Sequence, residues 1–266
     1  MNIVKHELHA GMKSFLLWTL GLFFLDFAGL TKFTGISGAG NADVMKLMNQ
    51  FPRIVLAVFG MVGLDINSLG GYYSVLAFYA LICISIYGIY LGTNSITRES
   101  VDKTYEFLFT KPRTRSYILG LKLFTNTIFL AVYSMLHVII SIVAVMTLKI
   151  DGNINSQMVL FGVSGFLVGI LFFSLGAFLS SIVKRAEKGA LYSNLCFFLL
   201  FLFGVIFDMS EDNKAIQIVA PLKYFLPTEL LDNHLNPIYT LFCIITSGIL
   251  LFCAVKVFCA KDLTAI

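Results

Sequence analysis

Charge is scarce in this sequence: Asp, Glu, Lys and Arg together make up 13% of 266 residues, against 58% hydrophobic residues. Soluble domains carry roughly 25% charged residues, so a water-facing globular fold is excluded and a bilayer must be the solvent. The five cysteines, Cys83, Cys196, Cys243, Cys253 and Cys259, lie in or beside apolar runs without C-x-x-C spacing. They read as small buried hydrophobes. Also missing are a G-x-x-x-x-G-K-[ST] phosphate loop, an H-E-x-x-H pair and a G-x-S-x-G elbow, which argues against nucleotide binding and intramembrane hydrolysis by this chain. No A-x-A-like site follows the first apolar run, so the expectation is that this segment is retained as a span.

What is present is hydropathy, with a mean of +0.87. Crossing about 30 Å of hydrocarbon at about 1.5 Å per residue takes roughly 20 residues. The length therefore accommodates six spans in one membrane domain over residues 1–266, an all-α membrane protein. The spans are expected near 14–30, 72–96, 117–148, 158–183, 190–207 and 238–258. The third is too long for a straight crossing and should project or bend. The fourth is rich in Gly and Ser, which let helices approach closely in lipid.

Ahead of the first span, Val4, Leu8 and Met12 share one stripe, with Lys5, His6, His9 and Lys13 turned away. This pattern predicts an amphipathic N-terminal helix in the membrane interface. Between the first two spans, Val44, Leu47, Met48 and Phe51 predict a short surface helix ending before Pro52, and Ile54–Leu64 reads as interfacial or re-entrant. Before the last span, the apolar stretch Ala215–Leu231 is broken by Pro221 and Pro227. With the N-terminus inside, thirteen of the nineteen Lys and Arg residues fall on the inner side. Both termini are then cytoplasmic, and the chain a multi-pass protein of the cell membrane. In a membrane protein this distribution matters more than the formal charge of +4, which makes nucleic-acid binding a poor reading.

The inner segment from Thr97 to Arg115 carries an apolar stripe of Val101, Tyr105, Leu108 and Phe109, with Asp102, Lys103 and Glu106 turned away. Ser100 is a candidate N-cap, and Pro112 disfavours helix at Lys111. An amphipathic helix held between two spans suits a docking element, and equally a solvated interfacial helix. The run Arg98-Glu99, Lys103-Thr104, Glu106-Phe107-Leu108, Lys111-Pro112, Arg115 and Ile118-Leu119 to Lys122 resembles the inner loop of permease subunits of ABC-2 type transporters. The resemblance extends to the N-terminal helix, Phe51-Pro52, Phe59-Gly60, Gly71-Tyr72-Tyr73, Pro221 with Tyr224-Phe225, and Phe258 with Lys261-Asp262. It implies that the inner segment is a coupling helix, with Glu99, Glu106, Lys111, Pro112 and Arg115 at or near a cytoplasmic ATPase subunit. ATP and Mg would be bound by that partner, with no cofactor in this chain. It further implies a second permease copy or a related permease, and a re-entrant segment between the fifth and sixth spans, which Ala215–Leu231 fits. The outer connection after the first span is larger than the family pattern.

Two ionisable residues fall inside apolar spans. Asp26 is costly at bilayer depth, about 2.5–3.5 kcal/mol on insertion scales at a helix centre. It either lines a translocation path or sits in the outer leaflet near Lys32, paired or reached by water. His137 is either a ligand or proton carrier on such a path, or a neutral histidine bonded to a neighbouring helix. His6 and His9 have metal-compatible spacing but no carboxylate or thiolate partner, so no metal site is expected. The Phe-rich run 197–207 reads as an apolar path lining or as lipid-facing bulk.

These features favour the membrane subunit of an ATP-driven exporter of a hydrophobic or amphipathic compound, such as an antimicrobial peptide, lipid, drug or ion. A non-transporting immunity or binding protein is the alternative. A secondary transporter would need more intramembrane ionisable groups than Asp26 and His137.

Overall fold

The computed structural model describes residues 3–38, 50–101, 114–210 and 213–261. Among these, six helices are long and apolar enough to cross a membrane. They are α1 (Ile3–Gly38), α3 (Leu69–Val101), α4 (Arg115–Thr147), α5 (Asn155–Ile182), α6 (Glu187–Met209) and α9 (Pro237–Ala260). Shorter pieces lie between them: α2 (Arg53–Val58), α7 (Lys214–Gln217), a 3-10 turn (Pro221–Lys223) and α8 (Pro227–Leu231). Each expected span lies almost wholly within one of the six helices.

Successive helices alternate in direction, and contacts at the two ends fix the alternation. At one end the start of α1, the ends of α3, α5 and α9, and the starts of α4 and α6 meet. There, Arg98 pairs with Glu7, Arg115 Nη1 donates to the Lys261 carbonyl at 3.1 Å, and Lys261 Nζ donates to the Val183 carbonyl. At the opposite end Tyr72 donates to the Gly29 carbonyl at 3.0 Å, and Arg53 Nε to the Asp208 carbonyl at 3.0 Å. Ile3 and Lys261 therefore lie at the same end.

α3 and α5 form the centre of the bundle, and α1, α6 and α9 leave most of their apolar surface outside. The closeness of α3 to α5 depends on Gly88 and Gly92. A Cβ at Gly92 would stand 2.0 Å from the Phe173 carbonyl oxygen, and one at Gly88 2.6 Å from that of Gly169. Only hydrogen fits at either place, which is how small residues drive association where lipid supplies no hydrophobic force. The small residues expected in the fourth span do serve this contact, and their counterparts on α3 complete it.

Two expectations are corrected. The interfacial helix predicted over residues 1–13 is not a separate element, because Ile3–Gly38 is one 36-residue helix without a break at Ser14. No proline falls at that junction, and the weak helix formers Gly11 and Ser14 cost too little to stop a helix that is already propagating. Ser100 is not an N-cap but lies inside α3, which continues to Val101. Its hydroxyl pattern suited a cap, yet helix propagation from a well-formed span costs less than a new nucleus. The third span resolves its length as a single 33-residue helix, about 50 Å long, so it extends beyond a hydrocarbon core of about 30 Å or tilts across it. The surface helix expected over 44–51 falls mostly outside the described residues.

The Pro-broken stretch before the last span becomes three short helical turns. Pro221 and Pro227 each sit in the first turn of theirs, where a missing N–H costs nothing. Asn213 and Asn236 cap α7 and α9, their side chains accepting from Ala215 and Ile238 backbone N–H at 3.0 and 3.1 Å.

Candidate functional site

The two intramembrane ionisable residues meet. Asp26, midway along α1, and His137, in the second half of α4, are both buried, and His137 Nδ1 lies 2.9 Å from Asp26 Oδ2. The predicted environment of Asp26 near Lys32 is overturned, since Lys32 is exposed and the carboxylate turns inward to α4. A carboxylate beside a histidine nitrogen orients the ring, because a proton on Nδ1 can be donated to it and Nε2 is then left as an acceptor. Tyr73 on α3 stands on that side, its hydroxyl 3.4 Å from His137 Nε2 and 3.3 Å from Ser141 Oγ. The Tyr73 and His137 rings lie nearly parallel, 7° apart, with centroids at 6.3 Å. Three helices are thus joined by one buried polar chain. Asp26 Oδ1 has no hydrogen-bond partner among the described residues, so the chain is open at its acidic end.

His137 also borders a narrow, mainly apolar cleft with about 30 Å³ of room for water-sized molecules, walled by Phe78, Leu81, Phe161 and Val168 and closed at the opposite end by Leu222, Lys223 and Phe225. Lys223 seats that closing segment. Its ammonium lies 2.5 Å from Asp208 Oδ2 and 5.0 Å from the centre of the Phe78 ring. Both partners are buried, the condition under which a pair must be well made to hold. Gln217 extends the anchoring, donating to the Lys223 carbonyl at 2.8 Å and accepting from the Tyr239 hydroxyl at 2.8 Å. Sequence reading missed this group, although a lysine and an aspartate beside apolar runs are the same signal that singled out Asp26.

The residues expected to face an ATPase are only partly described. Glu99 lies in α3, whereas Glu106, Lys111 and Pro112 fall outside the described residues. Arg115 begins α4 and is bonded to the Lys261 carbonyl, while Lys261 reaches Val183 at the end of α5. Burial pushes the Lys261 ammonium below the usual lysine range. The stretch expected to couple is therefore held between two long helices, with its far end tied to two more.

His6 and His9 are exposed on α1, and among the described residues no group of three potential ligands is placed to hold a metal ion. On α6, Phe198 and Phe203 point outward while Phe197 and Phe207 are buried, so the Phe-rich run divides between bundle and surroundings.

The profile of a family described as "ABC-2 family transporter protein" matches residues 1–255. No curated protein matches the chain.

Proposed function

The chain belongs to the ABC-2 family of transporter proteins, a multi-pass membrane protein with six apolar helices, and from that premise we propose that it is the permease subunit of an ATP-driven exporter. Its cargo is a hydrophobic or amphipathic compound, and its ATPase is a separate cytoplasmic polypeptide that binds ATP and Mg. The end of the bundle holding Ile3 and Lys261 faces the cytoplasm of a cell whose plasma membrane the chain spans.

The observation that carries this reading is the fastening of the segment between α3 and α4. α3 delivers an unbroken helix of about 50 Å to one end of it, and Arg115 starts an equally long one at the other. A push on residues 99–115 is then transmitted as rigid-body motion of two helices, and through Arg115 and Lys261 to α5 and α9. Glu99, Glu106, Lys111, Pro112 and Arg115 form the docking surface in this scheme.

At the opposite end, the stretch from Lys214 to Leu231 acts as the re-entrant element, seated by Lys223 on Asp208. Asp26 and His137 line the inner boundary of the translocation path, with the cleft at His137 as its approach. The outward apolar faces of α1, α6 and α9 meet lipid and a second permease copy or a related permease.

The test is affinity purification of the full chain from its native membrane in mild detergent. An ATPase subunit recovered at near equal stoichiometry, with ATP turnover that responds to candidate cargo, is the expected result. If no ATPase copurifies under conditions that preserve other membrane complexes, the coupling assignment fails and a non-transporting immunity or binding role takes its place.

A further inference from the structure

Asp26 and His137 balance electrically only when they hold a proton between them. Among the described residues the Asp26 carboxylate has one polar partner, His137 Nδ1 at 2.9 Å, and its Oδ1 has none. A buried carboxylate is held in its ionised form by a cation or by about two or three donors. Tyr73 and Cys83 on α3 and Tyr133 on α4 also stand in its field, but side chains of these types are neutral at ordinary pH and bring no positive charge. α5 carries no ionisable side chain along its length, and Lys32 is exposed. A carboxylate beside a neutral imidazole would therefore leave a net negative charge buried within the bundle, a costly state. One added proton removes that charge.

A route for the proton is present. His137 lines the narrow cleft that runs to Leu222 and Lys223, at the end of the bundle opposite Ile3 and Lys261, and Ser74 and Ser164 line it as well. Their hydroxyls donate to the Gly70 and Phe161 carbonyls at 2.8 and 2.9 Å, so both oxygens can still accept. The room of about 30 Å³ suffices for about two water molecules. Lys223, at the far end, is neutralised by Asp208 and does not repel an entering proton as a bare cation would.

We propose that Asp26 and His137 form a proton-binding site, filled through this cleft from the end of the bundle that holds Lys223. A hydronium ion in the cleft gives its proton to His137 Nε2 and remains as water, while Nδ1–H stays on Asp26 Oδ2. The Tyr73 hydroxyl, 3.4 Å from Nε2 and 3.3 Å from Ser141 Oγ, then turns its own proton to Ser141 and accepts from Nε2–H. Transfer of the Nδ1 proton to Oδ2 gives the other neutral form of the pair, a carboxylic acid on a neutral imidazole. Parting α1 from α4 breaks the pair, which ties such a movement to release of the proton. On the orientation proposed for this chain the proton comes from the outer side; the site itself requires no ATPase.

The test uses the full-length protein in lipid nanodiscs with isotope-labelled histidine, held at about pH 8, where an ordinary histidine is neutral. Nitrogen NMR is expected to show one of the four histidines doubly protonated, with that signal lost in His137→Gln and converted to the neutral form in Asp26→Asn. A proton on the acid instead gives an infrared band of a protonated carboxyl that Asp26→Asn removes. Either result places one proton on the pair. Four neutral histidines together with no protonated-carboxyl band in the unsubstituted protein overturn the site, whatever the folding of the variants. Magnetisation should also pass from water to the His137 ring in the same sample, and its absence overturns filling through the cleft. Failure to recover an ATPase with the chain leaves all of these readings untouched, so the proton site and the export reading fail separately.

Discussion

His137 Nδ1 lies 2.9 Å from Asp26 Oδ2, and neither side chain reaches the protein surface. The contact joins α1 to α4 between two buried side chains. Removing one member leaves the other buried and unpaired, whereas removing both leaves only a packing change. Asp26→Leu or His137→Leu alone should lower stability by about 3–5 kcal/mol, and the double replacement should recover a large part of the loss. Equilibrium unfolding of the purified protein in mixed micelles measures the cycle. Additive single effects would show that the two residues are not coupled.

The Lys223–Asp208 pair should govern the order of the segment it seats. Lys223→Met is expected to increase amide exchange across residues 214–231 by tenfold or more, with α3 and α5 unchanged. Mass-spectrometric exchange in nanodiscs reads this, and unchanged protection would assign the seating to apolar contacts of Leu222 and Phe225 instead.

Close packing of α3 on α5 predicts a sharp contrast between two glycines. Gly92→Ala places a methyl group 2.0 Å from the Phe173 carbonyl oxygen and should cost about 1–3 kcal/mol or more through forced separation of the helices. Gly248→Ala meets nothing within 4 Å and should stay within about 0.5 kcal/mol of the unsubstituted protein. Thermal unfolding midpoints of the two variants in one detergent decide the matter.

Coupling should be separable from folding. Glu106→Ala and Arg115→Ala are expected to reduce recovery of the ATPase subunit, or transport, by severalfold while membrane insertion is retained. Transport unchanged in both variants would remove these residues from the docking surface.

The six spans among the described residues put both termini on one side, and the Lys and Arg asymmetry predicts that this side is cytoplasmic. A reporter fused after Ile266 should be cytoplasmic, and one inserted at Asp151–Gly152, in the turn between α4 and α5, should be external. Both reporters on one side of the membrane would contradict the alternation of the helices.

The six spans were legible in the sequence because hydropathy is a local property: each run of apolar residues must be satisfied within its own backbone to enter lipid. The breaks at Pro221 and Pro227 have the same local origin. The family, too, was readable from residues in order along the chain. Where an element ends proved less legible, since Ser100 resembles a cap and yet lies inside α3, carried there by a helix already formed. What only the tertiary structure decided is which side chains share a face of two helices at once. Asp26 and His137 are 111 positions apart, Glu7 pairs across to Arg98, and Lys223 closes on Asp208. Each of these polar groups announces itself in one dimension as an expense at membrane depth, but its partner depends on the rotation and register of packed helices, which Gly88 and Gly92 set by letting α3 and α5 touch backbone to backbone.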